Sequence, residues 1–214
     1  LVLYGLTLAL IIRAGVGNAP WDVLHQGIAR HTTLTIGEAV IVMSLVVLVA
    51  WIPLRELPGL GTIANSFVVG LSADAFLHVF HTPGPLAAKL ALMLAGVLLN
   101  GVATALYIGS QFGPGPRDGL MTGLHRRTGL SLRLVRTALE ITVVLVGIAL
   151  GGSFGLGTVV YTLAIGPLVQ LFLPYAIVAL PERVEPPAVV EGPRLGSNRG
   201  AKRPSVDPAS STAE

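Results

Sequence analysis

Apolar residues along this chain come in long, nearly unbroken runs separated by short polar knots, a pattern that predicts helices. Leu1–Ala14, Thr35–Leu54, Leu60–Phe80, Ala88–Gly109, Leu132–Leu150 and Gly155–Leu173 each approach the roughly 20 residues a helix needs to cross a bilayer. The first run is short, and the last could continue past Pro174 toward Leu180. β-branched residues are frequent, but the runs are too long for strands and lack the period-two alternation of a membrane barrel. The predicted fold is all-α, a polytopic membrane protein with six transmembrane helices. From Pro181 the pattern stops. Residues 181–214 are rich in Pro, Ser, Gly and charge, with five basic and five acidic side chains. They lack the apolar surface that would offset the entropy of ordering them and read as a disordered cytoplasmic tail.

Composition agrees. Of 214 residues 52% are hydrophobic and 12% charged, and mean hydropathy is +0.75. Soluble domains carry about 25% charge, so lipid is the expected solvent. Cysteine is absent, which removes disulfides, thiolate metal sites and thiol catalysis. A net charge of +3 without basic–aromatic interleaving gives no reason to expect nucleic acid. The chain opens inside an apolar run, without the basic leader and cleavage site of a secretory signal, so its first span reads as truncated.

The chain also matches itself, without gaps, at an offset of 96 residues. Leu3, Gly5, Ala9, Leu10 and Ile12 meet Leu99, Gly101, Ala105, Leu106 and Ile108. Gly17, Pro20, Asp22, Leu24, Gly27, Arg30, Thr32 and Leu34 meet Gly113, Pro116, Asp118, Leu120, Gly123, Arg126, Thr128 and Leu130. Gly59-Leu60-Gly61-Thr62 meets Gly155-Leu156-Gly157-Thr158. Leu-rich helices match by chance; Gly, Pro, Asp, Arg and Thr do not. The expected organisation is a first repeat at 1–82, a second at 83–180 and the tail at 181–214. With three crossings in each repeat, the second half is inverted relative to the first, as in many secondary transporters whose sites lie near mid-bilayer.

Between the first and second spans of each repeat lies a Gly-Pro motif, at 17–24 and 113–120. In the second copy Gly115 stands where a helix N-cap would, Pro116 at the first helical position and Asp118 at the third. A helix from there to about Arg127, closing near Gly129, would measure roughly 18 Å, too short to span. It lies at the interface or enters and returns. Free N–H groups of Gly113–Gly119 could cradle a polar or anionic solute, with Arg117 supplying charge. Alternatively Asp22 and Asp118 only cap their helices.

The segments 17–27, 113–123, 59–62 and 155–158 resemble the YczE/YyaS/YitT group of bacterial integral membrane proteins, over residues 1–175. The resemblance implies a multi-pass protein of the bacterial inner membrane and carries no mechanism. It departs at the front, where that group has a longer first helix.

Lys and Arg orient the chain. Arg55, Arg117, Arg126, Arg127, Arg133, Arg136 and the basic tail fall on one side, Arg13, Arg30 and Lys89 on the other. Both termini are therefore expected in the cytoplasm. Arg136 and Glu140 near the start of the fifth span form either an interfacial ion pair or part of a solute site. Asp74 and Gln170, equivalent by the offset, line a path or sit near a helix end. Asn65 and Asn100 read as interhelical hydrogen-bonding groups. Gly5 with Ala9 and Gly101 with Ala105 form small-residue packing faces, and Gly61-Thr62 and Gly157-Thr158 open and cap spans. Trp21 and Trp51 suit an interface belt.

His78 and His81 lack a third ligand, and no catalytic motif is present, so neither metal, cofactor nor enzymatic activity is expected. Two functions remain. One is a small-solute transporter with a central site, contacted by Gly17, Pro20, Asp22, Gly113, Gly115, Pro116, Arg117, Asp118, Arg136 and Glu140. The other is an accessory protein that organises a cytoplasmic partner through its basic loop, Arg117–Arg136, and tail. Besides lipid, the expected partners are a small polar or anionic solute and a second copy of the chain packed on a small-residue face.

Overall fold

Glycine, proline and hydroxyl caps divide the apolar runs into helices. The structure, a computed structural model, describes residues 1–178; the tail expected at 181–214 lies outside the described residues. Among the described residues there are eight helices and no strand: α1 (Val2–Ala14), α2 (Pro20–His31), α3 (Ile36–Leu54), α4 (Leu60–Val79), α5 (Leu86–Gly109), α6 (Pro116–Thr128), α7 (Leu132–Ala149) and α8 (Leu156–Ala176). The capping follows local chemistry. Thr35 and Glu38 form a reciprocal capping box on α3, and the Ser131 hydroxyl accepts from Leu134 N on α7. Thr62 and Thr158 reach back to accept the N–H of Gly59 and Gly155 at 3.1 and 3.3 Å. Gly129, at φ 71°, closes α6. α5 starts two residues before the expected Ala88, and α8 runs through Pro167 and Pro174 to Ala176.

Four helices, α3, α4, α5 and α8, are long and apolar enough to cross a membrane. α1 is apolar but 13 residues long, and the 18 residues of α7 include Arg133, Arg136 and Glu140. The long helices leave Val46, Val49, Ile52, Phe67, Leu71, Leu94, Leu98, Leu163 and Leu171 on the outside. That is the surface a bilayer covers and water does not.

The centre is built on close helix approaches. A Cβ on Gly5 would lie 2.8 Å from Ala73 N on α4, and one on Gly101 2.7 Å from Leu168 Cβ on α8. Ala9 and Ala105 are fully buried beside them. α1 therefore packs on α4, α5 on α8, and α1 on α5. The last pair is antiparallel: Gly96 approaches Ile11, while one turn later Asn100 Nδ2 donates to Thr7 Oγ1 at 2.7 Å. Tyr161 donates to Asn100 Oδ1 at 2.9 Å, so the interhelical role expected of Asn100 joins α1, α5 and α8.

Contacts recur at the offset of 96. Gly61 N donates to Phe112 O at 2.9 Å, and Gly157 N donates to Val16 O at 2.8 Å. The left-handed residues pair likewise: Gly15 with Gln111, Gly17 (φ 121°) with Gly113 (φ 114°), and Arg55 with Gly151. The short helices pack across, α6 on α3 and α2 on α7. Trp51 of α3 covers Gly119 of α6; the equivalent contact sets Gly147 of α7 against Val23 and Leu24 of α2, with the large and small partners exchanged.

One contact does not recur. α3 packs on α4 through Gly37 and Gly70, where a Cβ on Gly70 would lie 2.5 Å from Gly37 O. Asp74 accepts the N–H of Gly37 at 2.7 Å and the hydroxyl of Thr35. The equivalent helices α7 and α8 share no comparable contact, and a Cβ on Gly166, the counterpart of Gly70, would meet nothing within 4 Å.

The two tryptophans do not form an interface belt. Trp51 is 1% exposed and donates to Pro116 O at 3.0 Å, and Trp21 is 6% exposed. Glycine at 119 opens a slot for an indole that no periodicity along α3 reveals.

A candidate solute site at the starts of the two short helices

Where α7 parts from α8 there is a cavity of about 260 Å³. The first turns of α2 (Pro20, Trp21) and α6 (Gly115 to Asp118) face it, with Tyr4, Asn65, Tyr107, Tyr161, Gln170, Arg136 and Glu140 among its other walls. Two helix N-termini directed at one space favour negative charge there, by up to about 1 kcal/mol each.

Arg117 is the central charge. Its guanidinium carbon lies 5.4 Å from the Trp21 ring centroid and 6.0 Å from that of Tyr4, distances at which a cation is drawn to aromatic faces. It takes part in none of the three ion pairs among the described residues and makes no side-chain hydrogen bond there. Burial presses its pKa down, but Tyr4, Asp22, Tyr161 and Asp118 more than reverse this, and the net direction is up. The group is a permanent cation.

The neighbouring carboxylates are already engaged. Asp118 accepts the hydroxyl of Tyr107, and that same hydroxyl accepts the N–H of Gly115. Asp118 therefore reaches the cap of its own helix through Tyr107. Arg136 Nε donates to Glu140 Oε1 at 2.9 Å along α7. Asp22 does not line the cavity; it is buried and lies 3.1 Å from His25 Nδ1.

Of the residues expected to contact solute, Pro20, Gly115, Pro116, Arg117, Asp118, Arg136 and Glu140 line this one space, while Gly17, Gly113 and Asp22 do not. Two members of the N–H cradle expected over Gly113–Gly119 are lost to it. Gly113 is pressed against Gly59 and Thr62, and the N–H of Gly115 is taken by Tyr107. Gly17 and Gly113 serve instead as close-approach turns, where a side chain would meet the starts of α8 and α4.

Sequence reasoning missed the aromatic walls, Tyr4, Tyr107 and Tyr161, and gave Trp21 another role. A usable signal was present. Pro20 and Pro116, Trp21 and Arg117, and Asn65 and Tyr161 are equivalent by the offset, and both members of each pair line the cavity. The cavity thus draws walls from both copies of the motif. Asp74 and Gln170 separate: the first caps α3, the second lines the cavity. His78 and His81 belong to no group of three or more metal-ligating side chains among the described residues.

His25 yields a pH prediction. Burial lowers its pKa from the ordinary 6.5, and the hydrogen bond and charge of Asp22 only partly oppose that shift. In the native state the ring stays neutral at pH values where the unfolded chain has begun to bind a proton. The stability this represents is present above pH 6.5 and is lost as pH falls below it. Thermal unfolding midpoints between neutral and mildly acidic pH should therefore decline more steeply in the wild type than in His25→Gln.

Comparison with known proteins follows the same outline. A family model described as "Family of unknown function (DUF6198)" matches residues 1–174. The chain is similar to an "Uncharacterized protein" of Haemophilus influenzae, 43% identical over 173 residues, covering 81% of this chain and 79% of the relative. It is also similar to the "Uncharacterized membrane protein YczE" of Bacillus subtilis, 28% identical over 175 residues and 81% of each chain. The "Uncharacterized protein YyaS" of Bacillus subtilis is 26% identical over 178 residues, 81% of this chain and 89% of the relative. No solved structure matches the chain.

Proposed function

The chain belongs to the DUF6198 family and is a multi-pass membrane protein, and we propose that it transports a small solute by alternating access between two inverted repeats. In this reading α1, α3, α4, α5, α7 and α8 cross the bilayer, in the inner membrane of a bacterium. α2 and α6 enter and turn back, meeting at the solute site. Both termini are cytoplasmic, with Arg126, Arg127 and Arg133 at the cytoplasmic turn between α6 and α7. The antiparallel pairing of α1 with α5 supports inversion, since these helices are equivalent by the offset.

The observation that carries the proposal is the broken symmetry. The cavity lies where α7 fails to pack on α8, and the equivalent α3–α4 seam is shut by Gly37, Gly70 and Asp74. A repeat pair with one seam open and the other closed is one of two states. Exchanging them would close α7 on α8 at Gly166 and part α3 from α4. Polar groups at membrane depth are tolerated where they line such a wet cavity.

The accessory-protein reading has less support. The basic turn it requires is engaged by the end of α3 and the residues after it: Arg126 pairs with Glu56, and Arg127 donates to Pro53 O.

Because the chain has no native cysteine, cross-linking tests the exchange cleanly. Thr35→Cys with Asp74→Cys should cross-link across the closed seam. The equivalent pair, Ser131→Cys with Gln170→Cys, should cross-link only in the second state, so that each cross-link excludes the other. If the 131–170 pair never forms in membranes where the 35–74 pair does, the alternating-access proposal fails.

A further inference from the structure

Resting on the transport reading, we infer that the solute is a small organic carboxylate, held by the Arg117 guanidinium and the indole N–H of Trp21. The argument is a donor and acceptor account of the cavity. Both carboxylates that line it already have a donor: Asp118 has the Tyr107 hydroxyl and Glu140 has Arg136. Of the donors left without a partner among the described residues, which include the amides of Asn65 and Gln170, one carries a full charge and one is completely buried. Arg117 makes no ion pair or side-chain hydrogen bond among the described residues and lies over the faces of Trp21 and Tyr4, and Nε1 of Trp21 is buried without a hydrogen-bond partner.

Buried donors are nearly always satisfied, so an orphan indole N–H beside an unpaired guanidinium at a cavity wall points to a missing acceptor. The other indole makes the contrast. Trp51 Nε1 donates to Pro116 O at 3.0 Å, whereas Trp21 lines the cavity unpaired. The starts of α2 and α6 add positive potential at the same place.

The rest of the site narrows the class. A planar carboxylate matches a guanidinium in a two-point contact, and the flanking aromatic faces hold that plane in position. A tetrahedral phosphate lacks the single plane that the faces of Trp21 and Tyr4 would hold, which favours the carboxylate. At about 260 Å³ the cavity falls below the roughly 300 Å³ at which drug-sized pockets begin, so the solute is small.

The test uses the full-length protein in detergent and then in proteoliposomes. Acetate, lactate and benzoate are compared with inorganic phosphate and with the matched amides and amines. Readouts are thermal shift and quenching of tryptophan fluorescence. At least one carboxylate should bind in the millimolar range or tighter, with phosphate, amides and amines inert. Arg117→Gln should weaken binding by about ten- to a hundredfold, Arg117→Lys by less, and Trp21→Phe by several-fold while keeping its aromatic face.

The inference is overturned if no carboxylate binds, if amines, amides or phosphate bind as well, or if Arg117→Gln binds benzoate like the wild type. The two readings separate in the outcome. Carboxylate binding without flux removes transport and leaves the site standing, whereas flux of an amine without carboxylate binding does the reverse.

Discussion

Gly166→Leu is expected to keep or slightly raise the thermal stability of the purified protein while reducing solute flux by about tenfold or more, the factor that follows from ~1.4 kcal/mol of added cost to a closed α7–α8 seam. In the observed arrangement a Cβ at 166 meets nothing within 4 Å. Extra side-chain volume there costs little, and leaving glycine gains about 1 kcal/mol of helix propensity with alanine and somewhat less with leucine. The equivalent position behaves in the opposite way. A Cβ on Gly70 would lie 2.5 Å from Gly37 O and 2.6 Å from Ile41 Cγ1.

The carbonyl is helix backbone and cannot swing aside, so Gly70→Ala should lose about 1–3 kcal/mol despite the better propensity. Here the clash outweighs the helix gain, and at 166 there is no clash to weigh. Thermal unfolding of Gly70→Ala, Gly166→Ala and Gly166→Leu, set beside flux, checks both halves. Normal flux through Gly166→Leu would mean that the α7–α8 seam never closes.

A second large effect is expected at the joint between α3 and α6. Gly119→Ala places a methyl 2.7 Å from Trp51 Cε2 and nearer still to the outer ring atoms. The indole cannot retreat, because it is 1% exposed, packs with Trp21, Leu24, Val47 and Val143, and is tied through Nε1 to Pro116 O. The loss should reach the upper end of the roughly 1–3 kcal/mol range for overpacking and be visible as reduced folded yield. Trp51→Leu alone empties the slot and costs several kcal/mol.

The double variant should be markedly less damaged than the sum of the two, since each change removes what the other lacks. Additive losses would show that Gly119 is needed for something other than room for the indole. The equivalent joint offers a control. A Cβ on Gly147 would lie 2.6 Å from Leu24 N, a backbone atom that no side-chain substitution can move, so Gly147→Ala should have no such rescue.

Much of this was legible without coordinates. Long apolar runs require helices, and the caps at Thr62, Thr158 and Gly115 sit where local chemistry puts them, because a cap depends only on residues three or four positions away. The Gly-Pro motifs identified the starts of α2 and α6, and Arg117, Arg136 and Glu140 were marked as candidates because charge inside an apolar run needs a reason. The offset of 96 identified which positions are equivalent.

Tertiary structure decided what those equivalences do. Trp21 and Trp51 look alike along the chain, yet one stacks on Arg117 and the other donates to Pro116, because their partners lie 96 and 65 residues away. Asp74 and Gln170, or Gly70 and Gly166, are equivalent in register and opposite in environment. A duplicated sequence carries the same local energetics in both copies. Which seam is shut depends on contacts between distant helices. The sequence by itself determined the helices, their caps and the twofold pattern. The position of the cavity, the stacking of the unpaired Arg117 on Trp21 at its wall and the departure from symmetry that opens it came only from the packing of distant segments.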